Sequence, residues 1–265
     1  MTPDSYSTLV LEQSDPHTLE IVLDRPQVAN AFNTQMATDL MHCFESFLLD
    51  TKSLRCVILT GAGERAFCAG GDLKERDGMS DQAWTQQHLI YERMIRAVLA
   101  CPLPVIAAVN GAAFGGGCEL VAAVDFAYAA EHARFGMTET SLGIIPGAGG
   151  TQTLARAVGE RRAKELILSA RRFDAHEAKT WGLVNEVYAG DQLREQTRAA
   201  AAMIAANAPI AVRQAKQAIH RGLQMSLADG LGFEIEAYYR TVPSDDRREG
   251  VRAFNEKRTP EFKGK

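Results

Sequence analysis

Two glutamates and a run of three glycines are the residues of this chain best placed to do chemistry. Within residues 110–150, an apolar, β-branched run (Val105, Ile106, Val109) leads into Gly115-Gly116-Gly117, then Cys118 and Glu119. Three adjacent glycines let bare backbone approach a ligand, and N–H groups at a helix start bind an oxygen that carries negative charge. Glu119 falls in the first turn of the predicted helix, where the helix dipole favours the ionised form. Twenty residues on, Glu139 lies in a second segment flanked by glycine and proline, residues 135–149. An oxyanion site with two carboxylates nearby points to acid–base chemistry on an acyl group. Taken singly, each feature has a plainer reading: a glycine run at a strand–helix junction makes a tight turn, and a first-turn glutamate starts a helix. Spacing alone does not bring Glu119 and Glu139 together.

Other chemistries find less support. Residues 61–66, GAGERA, fit G-x-G-x-x-A after a predicted strand, but no helix opens within that turn and no second strand ending in an acid follows, so the dinucleotide reading fails. His176-Glu177 is not the start of H-E-x-x-H, because Thr180 stands where the second histidine would be; no metal is expected. The five cysteines (Cys43, Cys56, Cys68, Cys101, Cys118) are odd in number and widely spaced. They read as reduced, buried thiols of a cytoplasmic protein. Cys118 and Cys68 flank the predicted site without a base partner, which argues against a nucleophilic role.

The elements that must position these residues follow from pattern. At 265 residues, with 46% hydrophobic and 23% charged residues, the chain suits a repeating α/β core with helical additions. No apolar run is long enough to span a membrane, and residues 1–17 lack the features of a secretory leader. A net charge of −4 argues against general nucleic-acid binding. Strands are predicted over 8–12, 18–23, 55–60, 105–110, 125–129 and 184–187. Helices are predicted over 34–50, with Asn33 as N-cap, and over 79–100, 119–123, 151–158, 161–169 and 175–181. In the first, Met36, Leu40, Met41, Phe44, Phe47 and Leu48 recur at helical spacing; in the second, Trp84, Leu89, Met94, Ile95 and Val98 are the apolar residues. From residue 191 onward the sequence is helix-rich, with restarts at 209, 228 and 245.

NGAAFGGGCEL (110–120), followed by FGMTETSLGIIPGAGGTQ (135–152), closely resembles the enoyl-CoA hydratase/isomerase (crotonase) superfamily. GAGERAFCAGGDLKE (61–75) resembles that family's acyl-CoA loop, and EGVRAFNEKRTPEFKGK (249–265) its C-terminal tail. With PVIAAVNG (104–111) and the Arg25-Pro26 turn, the resemblance covers nearly the whole chain. It implies an α/β fold: a spiral of ββα units over residues 1–195 and a C-terminal helical trimerisation subdomain over 196–265. It implies a homotrimer, or a hexamer as a pair of trimers, acting on an acyl-CoA substrate. Coenzyme A is then part of the substrate, and no separate cofactor is needed.

Carried over residue by residue, the backbone N–H groups of Gly71 and Gly116 form the oxyanion hole. Glu119 activates water, and Glu139 delivers a proton to Cα, which requires a raised pKa on Glu139. Ala66 and Ala69 match positions that meet the adenine. Gly71, Asp72 and Leu73 line the thioester end, Gly70 is a further substrate-binding position, and Lys257 matches a tail lysine that approaches the CoA phosphates from a neighbouring subunit. The presence of both acids favours a hydratase over an isomerase that keeps only the acid at 139. LKERDGMS (73–80), KELILSAR (164–171) and TVPSDDRREGVRAFNEKR (241–258) look most like the methylglutaconyl-CoA hydratase branch, which serves leucine breakdown and includes members that bind AU-rich RNA. Short-chain enoyl-CoA hydratases of fatty-acid β-oxidation share much of this. A distal carboxylate would need a cation, for which Arg76 and Lys74 are candidates with no ground in the sequence to choose. An RNA-binding protein without catalysis is the reading from outside enzymology, and the acidic balance and both glutamates oppose it.

Overall fold

The computed structural model describes residues 6–265; the reading of residues 1–17 as no secretory leader falls partly outside them. The chain starts with an antiparallel hairpin of β1 (Leu9–Asp15) and β2 (Thr18–Leu23), in which Leu9 faces Leu23. Helix α1 (Thr34–Leu49) follows, and the Asn33 side chain accepts the Met36 N–H at 3.0 Å. That bond satisfies one of the donors a helix start leaves open. Met36, Leu40, Met41, Phe44 and Phe47 form its buried face; Leu48 is 54% exposed.

Three units then repeat the same order: a strand for a large sheet, a short strand for a small sheet, and helical structure. The first is β3 (Cys56–Gly61), β4 (Ala66–Cys68), the short α2 (Leu73–Arg76) and α3 (Asp81–Ala100). The second is β5 (Val105–Val109), β6 (Ala112–Phe114) and α4 (Gly116–Ala123). The third is β7 (Phe126–Ala130), β8 (Arg134–Gly136), a 3-10 turn (Glu139–Leu142), α5 (Gly150–Val158) and α6 (Glu160–Ser169). After β9 (Phe173–Asp174) and α7 (Ala175–Trp181), β10 (Glu186–Tyr188) closes the large sheet. That sheet runs β1-β2-β3-β5-β7-β10, parallel from β2 onward; the small one runs β4-β6-β8-β9. Strands β3 and β5 are buried along their whole length, as strands covered on both faces must be, and their sequences, CVILTG and VIAAV, are accordingly apolar without alternation. The spiral of ββα units is therefore present.

The small sheet is absent from the sequence reading, because strands of two or three residues are too short to show a period. It matters functionally: β4 and β6 end where the two glycine segments begin. The last strand lies at 186–188 rather than 184–187, since Leu183 and Val184 are buried in the core ahead of it.

Helix α8 (Leu193–Ala205) spans the boundary expected at 195/196. Its Leu193, Ala200 and Ala201 pack with Cys56, Ile58, Ile106 and Ala108 of the large sheet. Arg194 and Arg198 both pair with Glu20, a fully buried carboxylate on β2. So α8 covers the core, and the additional helices are α9 (Pro209–Gly222), α10 (Leu227–Thr241) and α11 (Asp245–Glu256).

Candidate active site

Backbone bonding holds the first glycine segment against Phe32. The Phe32 N–H donates to Gly70 O at 2.9 Å, and the Asp72 N–H donates to Phe32 O at 3.0 Å. In this parallel bridge the residues on either side of Gly71 bond Phe32, so the Gly71 N–H faces away from it. Among the described residues, no acceptor takes that N–H. Gly116 is the first residue of α4, so its N–H is one of the donors that a helix start leaves free. The two segments touch: a Cβ on Gly70 would sit 2.7 Å from Phe114 O and 3.2 Å from Gly116 N. A Cβ on Gly116 would fall 2.2 Å from Phe32 Cζ, and one on Gly117 only 2.0 Å from Cys68 O. Close approach, rather than turn geometry alone, requires glycine at 116 and 117.

Glu119 and Glu139 border the same cavity of about 510 Å³, together with Gly71 and Gly116. Glu119 lies one turn into α4 and is 3% exposed. Its Oε1 accepts the Ala148 and Gly150 N–H groups, each at 2.8 Å. Glu139 opens the 3-10 turn, is 7% exposed, and neither of its carboxyl oxygens has a partner. Burial pushes Glu119 up to about 7, and the Glu139 charge adds to the rise; the two backbone donors pull it back down. Burial raises Glu139 as well. A single proton on the pair is better placed on Glu139. Glu119 then loses the repulsion and keeps two donors that favour its anion, whereas Glu139 has at most its own backbone N–H to stabilise a charge.

The segment that holds Glu119 is itself held from α3. His88 Nε2 lies 3.1 Å from Gly147 O, and since a carbonyl only accepts, Nε2 carries the proton. A Cβ on Gly147 would lie 2.4 Å from His88 Cε1. Trp84, His88 and Tyr91 line the cavity as one face of α3. The sequence reading used only Trp84 of these, as core; their i, i+4, i+7 spacing was the available signal.

The remaining residues named from sequence separate into two groups. Ala69, Gly70 and Leu73 line the cavity. Asp72 is buried beside it, caps α2 by accepting the Lys74 N–H at 3.1 Å, and pairs with Arg25 at 3.0 Å. Ala66 is buried in β4, and its carbonyl receives Asn30 Nδ2 at 2.8 Å. Lys257 is exposed at the end of α11 with φ 54° and does not line the cavity. Cys68 and Cys118 are buried without a base; burial pushes the Cys68 thiol up to about 12 and raises Cys118 further. Among the described residues, no three His, Cys, Asp or Glu cluster as a metal site would need.

Two unpaired N–H groups and two carboxyls on one cavity can stabilise an oxyanion while moving two protons. The family described as enoyl-CoA hydratase/isomerase matches residues 16–265. YngF of Bacillus subtilis, named for the same hydratase/isomerase activities, is 48% identical over 257 residues, covering 97% of this chain and 98% of its own. The short-chain-enoyl-CoA hydratase of Clostridium acetobutylicum is 40% identical over 238 residues, with 90% and 91% covered. A crystal structure of enoyl-CoA hydratase from Bacillus anthracis superposes with a TM-score of 0.96 at 46% identity, covering 98% of this chain and all of that one.

Proposed function

This chain belongs to the enoyl-CoA hydratase/isomerase family, and from that premise we propose that it is a hydratase, adding water reversibly and with syn geometry to a trans-2-enoyl-CoA thioester. The observation that carries this reading is the pair of buried carboxyls with different surroundings on one cavity. Addition needs a base for water and an acid for Cα. Glu119, held by two backbone donors, takes a proton from the water as it attacks Cβ. Glu139, with fewer donors, starts protonated and gives its proton to Cα. The charge that builds on the thioester oxygen in between is met by the Gly71 and Gly116 N–H groups, which need no rearrangement to receive it. Nothing in these steps calls for a metal or a redox group.

An isomerase that shuttles one proton through Glu139 alone is the second reading, favoured only by the burial that raises the pKa of that carboxyl. Methylglutaconyl-CoA is the alternative substrate within the hydratase reading. The experiment is a panel compared by kcat/KM: crotonyl-CoA, a longer 2-enoyl-CoA and methylglutaconyl-CoA, with a 3-enoyl-CoA as isomerase substrate. A 3-hydroxyacyl-CoA product from any 2-enoyl member supports the hydratase. Turnover of the 3-enoyl thioester with no hydration of the others supports the isomerase.

A further inference from the structure

The two proposed oxyanion donors come from separate segments, and Phe32 touches both. Gly71 follows β4, and Gly116 starts α4. The Phe32 N–H donates to Gly70 O, and Phe32 O accepts the Asp72 N–H, so the Phe32 backbone brackets Gly71. The Phe32 ring reaches Gly116: its Cζ and Cε1 would stand 2.2 and 2.6 Å from a Cβ there. The ring edge fills the space that any side chain at 116 would need. Phe32 is buried and lines the cavity that both glycines border.

Phe32 is itself held from several sides. The Tyr91 ring meets the Phe32 ring edge to face, with centroids 4.8 Å apart and planes at 86°, and the Tyr91 hydroxyl donates to Phe32 O at 3.1 Å. Upstream, Ala29 and Asn30 lie in succession in the left-handed region, with φ of 54° and 55°, a conformation costly for alanine. The segment before Gly71 holds them there. Ala29 O accepts the Ala69 N–H at 3.0 Å, and Nδ2 of the fully buried Asn30 donates to Ala62 O at 3.0 Å and Ala66 O at 2.8 Å. Downstream, Asn33 caps α1. A close-packed side chain between two segments sets the distance between them, because protein interiors compress little. Two donors stabilise one oxygen only when both reach it at hydrogen-bond distance. We propose that Phe32 is a positioning residue: its backbone holds the Gly71 loop, its ring holds the start of α4, and together they set the separation of the two N–H donors. This rests on the oxyanion reading of Gly71 and Gly116.

The test reads the thioester carbonyl directly. Butyryl-CoA labelled with ¹³C at the carbonyl is bound to the wild-type protein and to Phe32→Ala, and its C=O band is followed by difference infrared spectroscopy. In the wild-type protein the band should lie below that of free butyryl-CoA, because both donors draw electron density onto the oxygen. Phe32→Ala keeps the backbone bonds and removes the spacer, so the band should move back toward the free position. With crotonyl-CoA, kcat should fall by about 10- to 100-fold, the scale of a misplaced group, while KM changes by less than about threefold. Partial unfolding would shrink the band without moving it. Phe32→Leu, which refills most of the space, should recover most of both effects. If the alanine variant does not fold, Phe32→Val takes its place, with the band expected to retreat in the order wild type, leucine, valine. A wild-type band at the free position would overturn the oxyanion assignment of the two glycines, and this proposal with it. A displaced wild-type band that loss of the ring leaves unmoved overturns the proposal alone, even if kcat falls, because Phe32 would then act through stability and not through the donors.

Discussion

At the residue scale, the site holds charge where the protein would be more stable without it. The Glu119 carboxyl lies at about 7 in the folded protein against 4.5 for an ordinary glutamate. The folded state therefore binds the proton more tightly than the unfolded chain, and stability falls as the pH rises from about 4.5 to about 7. Glu119→Gln keeps an oxygen to accept the Ala148 and Gly150 N–H groups but removes the charge. It is expected to stabilise the protein by up to about 3 kcal/mol at pH 8, less where Glu139 holds a proton and its repulsion is absent, and to make no difference at pH 4, measured by denaturant unfolding at both pH values. A loss of stability at pH 8 would show that Glu119 is held by a partner outside this account. Glu119 and Glu139 were legible in the sequence because a glycine run and a helix start are local features. Arg76 was visible only as one of two exchangeable cations: its burial and its place between Trp84 and Tyr91 are set by how α2 meets α3.

At the element scale, the glycines divide by what surrounds them. Gly117→Ala drives a Cβ into Cys68 O at 2.0 Å, backbone against backbone, and should cost about 3 kcal/mol or more. Gly232, exposed in the middle of α10 with nothing within reach of a Cβ, should gain up to about 1 kcal/mol on change to alanine. Thermal unfolding of the two variants side by side checks both signs. The contact of α3 with the 147–150 segment makes His88 a positioning residue, since the donors on Glu119 come from the segment it holds. His88→Ala should lower kcat by about 10-fold through misplacement and shift the acid limb of kcat/KM to higher pH, because a carboxylate with weaker donors is harder to ionise. His88→Gln, which can still donate to Gly147 O, should restore both; an unmoved pH profile in the alanine variant would remove the role. The long helices and buried strands were readable from their periods, whereas the small sheet and the hold of α8 on the core depend on long-range packing that no local period records.

At the scale of the whole molecule, the C-cap of α9 and α10 expose Leu223 (79%), Leu227 (81%), Leu231 (56%) and Tyr238 (61%), large apolar side chains of the kind that subunit contacts cover. Together with the family's C-terminal helices, this supports the proposal of a trimer or a pair of trimers. Sedimentation that finds only monomer at micromolar concentration would count against it. All five cysteines are buried, so a thiol reagent should react with them only on unfolding, and one fast-reacting thiol in the native protein would contradict the packing described. The central claim is that two glutamates divide the two protons of one addition, and incubation of crotonyl-CoA with Glu119→Gln and Glu139→Gln in D₂O tests it most directly. Hydration and deuterium incorporation at Cα are followed together by NMR. Each variant is expected to lose about 100- to 10,000-fold in hydration, and exchange of the Cα hydrogens of the saturated butyryl-CoA under the same conditions, which passes through the enolate and needs no added water, should survive in Glu119→Gln but not in Glu139→Gln. Hydration that continues at the wild-type rate in folded Glu119→Gln would contradict the account and leave Glu139 as the sole acid–base group.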